Sequence, residues 1–378
     1  MDDDVLIANP GSSSLKLRVL DPADRVVASQ DGDAPGDDLA DVLVGFLDDA
    51  PPVGAVGVRV VHGGRAFAGP VVVDDDVRHA LAQLDELAPL HNPPARALIE
   101  VLRHTLPDTP VVACFDTAFH HTLPKAASLF AVPWRWTEDL GVRRYGFHGL
   151  SHSSAARRAA ALLDRPLDDV RLVTCHLGAG ASLAAVQDGR SVDTTMGFTP
   201  LDGLVMATRS GAVDPGAVLW AQRRLDLTPE QMERALEHES GLLGLSGRSG
   251  DLREVLAGAT DGDERCRLAV EVMLHRLRGA MAAMVSAMGG VDALVFTGGI
   301  GEHSPFVRAA AIDGLAYLGA QVDEAANERA LGVDAVISPP GAPVAALAVV
   351  AREDLAMAAE VRAVLGGRPG DDRAVTTA

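Results

Sequence analysis

Residues 5–20 read Val5-Leu6-Ile7-Ala8-Asn9-Pro10-Gly11-Ser12-Ser13-Ser14-Leu15-Lys16-Leu17-Arg18-Val19-Leu20. An apolar run, a Gly/Ser turn and a segment alternating apolar with basic side chains spell strand, turn, strand. The pattern returns at Leu172 to His176, with the turn Leu177-Gly178-Ala179-Gly180 and a strand from Ser182 to Val186 that continues past the hairpin signal Asp188-Gly189. One unit met in each half predicts duplicated domains facing a shared cleft. Strands alternating with helical stretches elsewhere predict an α/β protein with both sheet faces covered.

Working outward, Asn92 reads as the N-cap of an amphipathic helix through Leu106, with Pro93 and Pro94 in its first turn. A strand over Val111 to Phe115 ends at Asp116, and Ser154 to Leu163 reads as a helix. The stretch from Arg265 to Met288 predicts a long helix, apolar all round and therefore interior. A buried strand over Ala293 to Thr297 leads to a turn, Gly298-Gly299-Ile300-Gly301, and then to a helix opened by Ser304-Pro305. Glu353 to Leu365 is the last helix, followed by a polar tail from Gly366. The acidic segment Asp31 to Asp41 reads as a solvated loop.

A chain of 378 residues exceeds one ordinary core, and two domains of roughly 150 to 200 residues are the natural division. With 52 acidic against 33 basic residues the formal charge is -19, which argues against a nucleic-acid partner, since duplex binding rests on a basic face. An anionic substrate must then be held by a few locally placed arginines. Cys114, Cys175 and Cys266 show no CxxC spacing, so neither a disulfide framework nor a zinc site is indicated. No apolar run reaches the roughly 20 residues that span a bilayer, and Met1-Asp2-Asp3-Asp4 lacks the positive n-region of a signal peptide. The expectation is a soluble, cytoplasmic protein with no membrane partner.

Several segments carry candidate chemistry. The turn from Asn9 to Lys16 offers backbone N–H groups, hydroxyls and a lysine suited to phosphate oxygens. It is not a Walker A loop, because a strand rather than a helix follows; the plain alternative is a serine-rich turn satisfying its own backbone. Arg59, flanked by valines in Gly57-Val58-Arg59-Val60-Val61-His62-Gly63-Gly64, suits a carboxylate or phosphoryl group if its fork faces a cleft. In Arg143 to His152, His148 and His152 stand four residues apart, but the glycines between argue against a regular helix and no third metal ligand appears. His148 is the better phosphoryl hydrogen-bond donor, and His152 reads as capping or orienting the following helix. Ser191 to Pro215, rich in Gly, Pro and Thr, reads as a functional loop and supplies a second arginine, Arg209.

Taken in order, NPGSSSLK, VRVVHGG, LAPLHNPP, FDTAFHHTLP, YGFHGLSH, VDTTMGFTPLDGLVMATRSGAVDPG and FTGGIGEHSP resemble the acetate kinase family from Val5 to about Ala359. The resemblance implies two ribonuclease H-like domains of the actin-like ATPase superfamily, here residues 1–117 with 354–378 and residues 118–353. It implies a homodimer, ATP or ADP and acetate as substrates, and Mg²⁺, or Mn²⁺, as the metal. Asn9, Ser12, Ser14 and Lys16 would lie at the phosphate loop. Arg59 and Arg209 would hold the carboxyl and the transferring phosphoryl group, with His148 and His176 in support and Asp116 placing the first arginine and the metal. Asn9 and Glu353 would serve the metal, and Val61, Leu90, Phe147 and Pro200 the acyl pocket. Gly178, Ala179 and Gly180 would face the nucleotide, and Gly299, Ile300 and Gly301, with Asp251 and Arg253, the adenosine.

The implied reaction needs no general base, because a carboxylate is already ionised at neutral pH. Departures from the family pattern fall on the nucleotide side: Pro10 for alanine, Ala179 and His303 for asparagines, and Ala351-Arg352 for Thr-Asn before Glu353. The alternatives are a propionate or butyrate kinase, since apolar pockets discriminate a methylene by only about 1 to 3 kcal/mol, and a non-catalytic nucleotide sensor of the same fold.

Overall fold

The computed structural model describes residues 3–11, 14–33, 39–89 and 91–366. Contacts divide the chain into two compact units, the first comprising residues 1–121, 147–154 and 352–378, the second residues 122–146 and 155–351.

The first unit holds a six-stranded sheet of β1 (Val5–Pro10), β2 (Ser14–Leu20), β3 (Val26–Asp33), β4 (Ala55–Val60), β5 (Val71–Val72) and β6 (Val111–Phe115), in the order β3-β2-β1-β4-β6-β5. β1, β2 and β3 form an antiparallel meander, β4 and β6 run parallel to β1, and β5 closes the edge antiparallel. The second unit holds β7 (Leu172–Leu177), β8 (Ala181–Gln187), β9 (Arg190–Thr194), β10 (Ala293–Thr297), β11 (Ala335–Val336) and β12 (Ala345–Ala348). Read from β9, its order is β9-β8-β7-β10-β12-β11, the same path through the same pairing senses. The hairpin repeated in the sequence is thus the first element of two copies of one ribonuclease H-like sheet. Asp188 and Gly189 both take positive φ, 52° and 71°, as a two-residue hairpin turn demands.

The central strands of the first sheet are buried on both faces, and period two sorts their side chains. Leu6, Ala8, Val56, Val58, Val60, Val111, Ala113 and Phe115 pack with the helices Leu39–Asp49 and Asn92–Thr105. Val5, Ile7, Ala55, Val112 and Cys114 face the other way, against Met357 and Val361 of the final helix Glu353–Leu365. Asn9 and Arg59 continue that second alternation, so both point to the face the final helix covers.

Several sequence expectations are corrected. Gly298 to Gly301 is the opening of a helix, Gly298–His303, rather than a turn. The long helix runs Glu264–Ala287 and is one-sided: Met273, Leu277 and Met281 are buried, whereas Leu268 is half exposed. Its apolar total hid a solvent face carrying Arg267, Glu271 and His275. Helix Gly149–Leu162 starts five residues early and contains His152, fully buried, so its glycine serves as a first residue and does not break it. Asn92 is not a cap; it is buried, and its amide brackets His62 by accepting from the His62 N–H and donating to its carbonyl. The strand β3 reaches Asp33 and a helix begins at Leu39, so the loop expected over Asp31 to Asp41 is shorter. Residues 34–38 and the tail beyond 366 lie outside the described residues. Among the described residues no helix is long and apolar enough to cross a membrane, and the three cysteines are buried and free.

In the second unit Arg308 is fully buried on helix Pro305–Asp313. It donates to the carbonyls of Gly301, Glu302, Asn327 and Ala330 and to Asn327 Oδ1, so one guanidinium ties the ends of two neighbouring helices to its own. Arg308→Met keeps the apolar stem and strands these acceptors, each costing about 1–3 kcal/mol when left buried and unpaired. Scanning calorimetry is expected to show the transition lowered by roughly 2–4 °C per kcal/mol lost; an unchanged midpoint would sink this account.

Candidate functional site

Three parallel strands end side by side in the first unit, and each presents a polar residue at its C-terminal end on the same face. Asn9 ends the second alternation of β1, Arg59 that of β4, and Asp116 follows β6 two residues after Cys114. Glu353 opens the helix laid across that face. Arg59 donates through Nε to Asp116 Oδ1 at 2.9 Å and through a terminal nitrogen to Oδ2 at 2.5 Å, a two-point fork. Its other terminal nitrogen donates to Asn9 Oδ1 at 3.1 Å, and the Asn9 amide nitrogen donates to Glu353 Oε2 at 3.3 Å. The amide orientation follows from its neighbours, since a guanidinium only donates and a carboxylate only accepts.

Asp116 is 2% and Arg59 18% exposed in the side chain. Burial works against the Arg59 charge, but the carboxylates of Asp116 and Glu353 outweigh it and hold the pKa above the ordinary arginine value. Arg59 is therefore charged at every working pH. Of its five N–H donors, three are engaged by Asp116 and Asn9, which leaves, among the described residues, one on each terminal nitrogen, a pair suited to a carboxylate or phosphoryl edge.

The backbone beside His148 is tied to this cluster through Gly149. The Gly149 N–H donates to the Asp116 carbonyl at 2.9 Å, and a Cβ there would sit 2.2 Å from that oxygen, so only glycine allows the approach. His148, part exposed, adopts φ 56°, an uncommon left-handed conformation for a histidine. Phe147 is buried with its ring edge-on to His62 at 5.4 Å, and Val61 is buried at the end of β4. Lys16 stands across the ladder from Asn9 and is exposed. Ser12, the side chain of Ser14, and Leu90 lie outside the described residues. Among the described residues no three His, Cys, Asp or Glu side chains gather as a metal site.

The second unit has a cavity of about 840 Å³ whose lining includes Gly178, Ala179, Asp251, Arg253, Gly299 and Ile300. Gly180 and Gly301 are not among the lining residues, whereas Met206, His303 and Phe306 are. Asp251 caps helix Leu252–Thr260 through the Arg253 N–H and pairs with the Arg253 side chain, which is 90% exposed. Arg253 first, and its backbone N–H second, hold the Asp251 carboxyl below its usual range. His303 Nδ1 lies 3.1 Å from the Gly299 carbonyl. His176 is half-buried near the end of β7, and Pro200 lies in the irregular run between β9 and helix Pro215–Leu225.

Arg209, on the same irregular run, does not line the cavity; its Nε lies 3.0 Å from Glu237 Oε2. Sequence reading missed Glu237, Gly149, Arg308 and the Asn92–His62 bracket. Arg308, set between apolar neighbours in Phe306-Val307-Arg308-Ala309, carried the same signal that singled out Arg59.

A family model described as the Acetokinase family matches residues 37–359. An acetate kinase of Synechococcus sp. (strain JA-2-3B'a(2-13)) is 50% identical over 322 residues, 85% of this chain and 79% of that protein. The crystal structure of Porphyromonas gingivalis acetate kinase superposes with a TM-score of 0.89 at 34% identity, covering 96% of this chain and 99% of that one. A propionate kinase from Francisella tularensis subsp. tularensis SCHU S4 superposes with a TM-score of 0.86 at 33% identity, covering 95% and 99%.

The buried fork yields a stability test. Asp116→Asn leaves the guanidinium beside a neutral amide, and breaking such a pair costs about 3–5 kcal/mol. Adding Arg59→Met removes the stranded charge and should recover part of the loss in urea unfolding. Additive losses in the double variant would show that the two side chains do not act as a pair.

Proposed function

The chain belongs to the acetokinase family and is a phosphotransferase with a carboxyl acceptor; from that premise we propose that it transfers the γ-phosphoryl group of ATP reversibly to acetate, giving acetyl phosphate and ADP. The observation that carries this reading is the pre-oriented Arg59 fork, held by Asp116 and Asn9 with two N–H donors left over. A site for an already ionised nucleophile needs alignment and positive charge, and that is what the fork supplies.

In this proposal the acetate carboxylate attacks the γ-phosphorus in line, and ADP leaves. Arg59 and Arg209 bind the carboxylate and the transferring group, and His148 donates to a phosphoryl oxygen. Val61, Leu90, Phe147 and Pro200 surround the methyl group. The cavity lined by Ala179, Asp251, Gly299 and Ile300 takes the nucleotide, with Ser12, Ser14, Lys16 and His176 toward its phosphates. A hard cation bound mainly by phosphate oxygens and water needs only one or two protein oxygens, and Glu353 with Asn9 meets that need. Mg²⁺, or Mn²⁺, held there would supply positive charge to the phosphates. A cytoplasmic homodimer completes the reading; Trp134, Trp136 and Trp220, all the tryptophans of the chain, are exposed, as suits residues awaiting a partner surface. The near-equal likeness to a propionate kinase keeps a longer acyl chain as the second reading.

Purified protein with ATP, Mg²⁺ and acetate is expected to form acetyl phosphate, trapped as the hydroxamate, and relative kcat/KM over acetate, propionate and butyrate sets the acyl preference. ATP binding with no product from any short-chain acid would leave a nucleotide sensor instead.

Ala179 gives a test of the nucleotide side. An asparagine there could donate to a phosphate oxygen, a bond typically worth about 1.5–3 kcal/mol with a charged partner. Ala179→Asn is expected to lower KM for ATP and leave acetate kinetics unchanged; an effect confined to acetate would remove Ala179 from the nucleotide site.

A further inference from the structure

Arg209 lies on a run without regular structure, so its direction must be set by what holds the run. Thr208 Oγ1 donates to the Glu237 carbonyl at 2.8 Å, the Ser240 N–H to the Thr208 carbonyl at 2.9 Å, and the Ser210 N–H to the Leu236 carbonyl at 3.0 Å. The Leu242 N–H donates to the Met206 carbonyl at 2.9 Å. Residues 206–210 are therefore laced to the end of helix Pro229–His238 and the start of helix Gly241–Ser246. That lacing fixes the Arg209 backbone and leaves its long side chain to be aimed. Glu237 lies within the laced segment and brings Oε2 to 3.0 Å from Arg209 Nε, with Glu237 17% and Arg209 25% exposed. One terminal nitrogen rests 3.9 Å from Met206 Sδ, a soft and weak acceptor.

The arrangement is a looser counterpart of the first unit's. There a carboxylate takes Arg59 through two hydrogen bonds, from Nε and one terminal nitrogen; here a carboxylate oxygen forms an ion pair 3.0 Å from Arg209 Nε. We propose that Glu237 is a positioning residue for the phosphoryl transfer, holding Arg209 by its Nε edge so that its terminal nitrogens meet the anionic substrate. The proposal rests on the reading of Arg209 as a substrate-binding arginine. A guanidinium aimed in advance loses less side-chain freedom when the transition state forms. The competing effect of Glu237 is its negative charge near an anionic substrate. If repulsion dominated, Glu237 would act as a brake and not as a support.

Steady-state kinetics of Glu237→Gln, Glu237→Ala, Arg209→Ala and the double alanine variant separate these cases, with melting midpoints measured for each. Glu237→Ala is expected to lower kcat by roughly 10- to 100-fold, the range for a misplaced binding group, with a smaller change in KM for ATP. Glu237→Gln, which keeps an oxygen at the same reach, should restore most of that loss. The double variant should be no slower than Arg209→Ala alone, because Glu237 acts through Arg209. Normal turnover in Glu237→Ala beside an inactive Arg209→Ala, or faster turnover in Glu237→Ala, overturns the proposal while sparing the role of Arg209. Normal turnover in Arg209→Ala overturns the role of Arg209 and the proposal with it. A slow Glu237→Ala whose loss is multiplied in the double variant assigns Glu237 a structural role only.

Discussion

A guanidinium drawn out of water must find acceptors for its N–H groups, and where the acceptor is a carboxylate the pair obeys one shared geometry. Arg59 and Asp116 impose this constraint on the first unit. Their fork requires β4 and β6 to be neighbours in parallel register, which Arg59 opposite Cys114 satisfies. It requires the same alternation phase on both strands, so that Val58 and Ala113 go to one face while Arg59 and Asp116 go to the other. It also requires a close approach at the Asp116 carbonyl, which Gly149 permits. Asn9 and Glu353 extend the arrangement by one hydrogen bond each.

The two sheets share one strand path but use it for different chemistry. At the strand ends of the first, charged groups engage each other and leave a small number of donors facing outward. Around the strand ends of the second lies an open cavity lined by Leu177, Leu204, Met206, Leu252 and Ile300, with Asp251 and Arg253 also in its lining. Such a lining suits a flat base and a ribose better than a small anion. The polar cluster suits the reverse. In the proposed reading, one copy of the fold meets charge and the other bulk and shape.

What the sequence made legible follows from range. The hairpins, the strand ending at Asp116 and the final helix were readable because their signals lie within a dozen residues. Arg59 stood out because an arginine between valines on a strand must find a partner, and Asp116 is that partner. The Gly298 turn was misread because glycines suggest a break, whereas Gly299 and Ile300 continue into a helix steadied by Arg308. The helix over Glu264–Ala287 was misjudged because its alanines and glycine blur the polar stripe. Asn92 looked like a cap because the prolines after it fit one; the partner that claims its amide, His62, is thirty residues away. Glu237 was invisible for the same reason. No local pattern marks one glutamate on a charged helix as the partner of an arginine on a distant loop.

The final helix has a consequence for how the molecule comes into being. Met357 and Val361 cover the face of a sheet whose strands are made within the first third of the chain, and Glu353 reaches back to Asn9 across 344 positions. While the ribosome is still working, that sheet face and its charged cluster lack the cover of the final helix. Contacts between chain ends are slow to form and leave apolar surface open meanwhile. The first unit to be synthesised is therefore the last to be finished. A nascent chain cut short before residue 353 would carry the arginine and Asp116 of the fork but neither the Glu353 carboxylate that Asn9 meets nor the helix that covers their face.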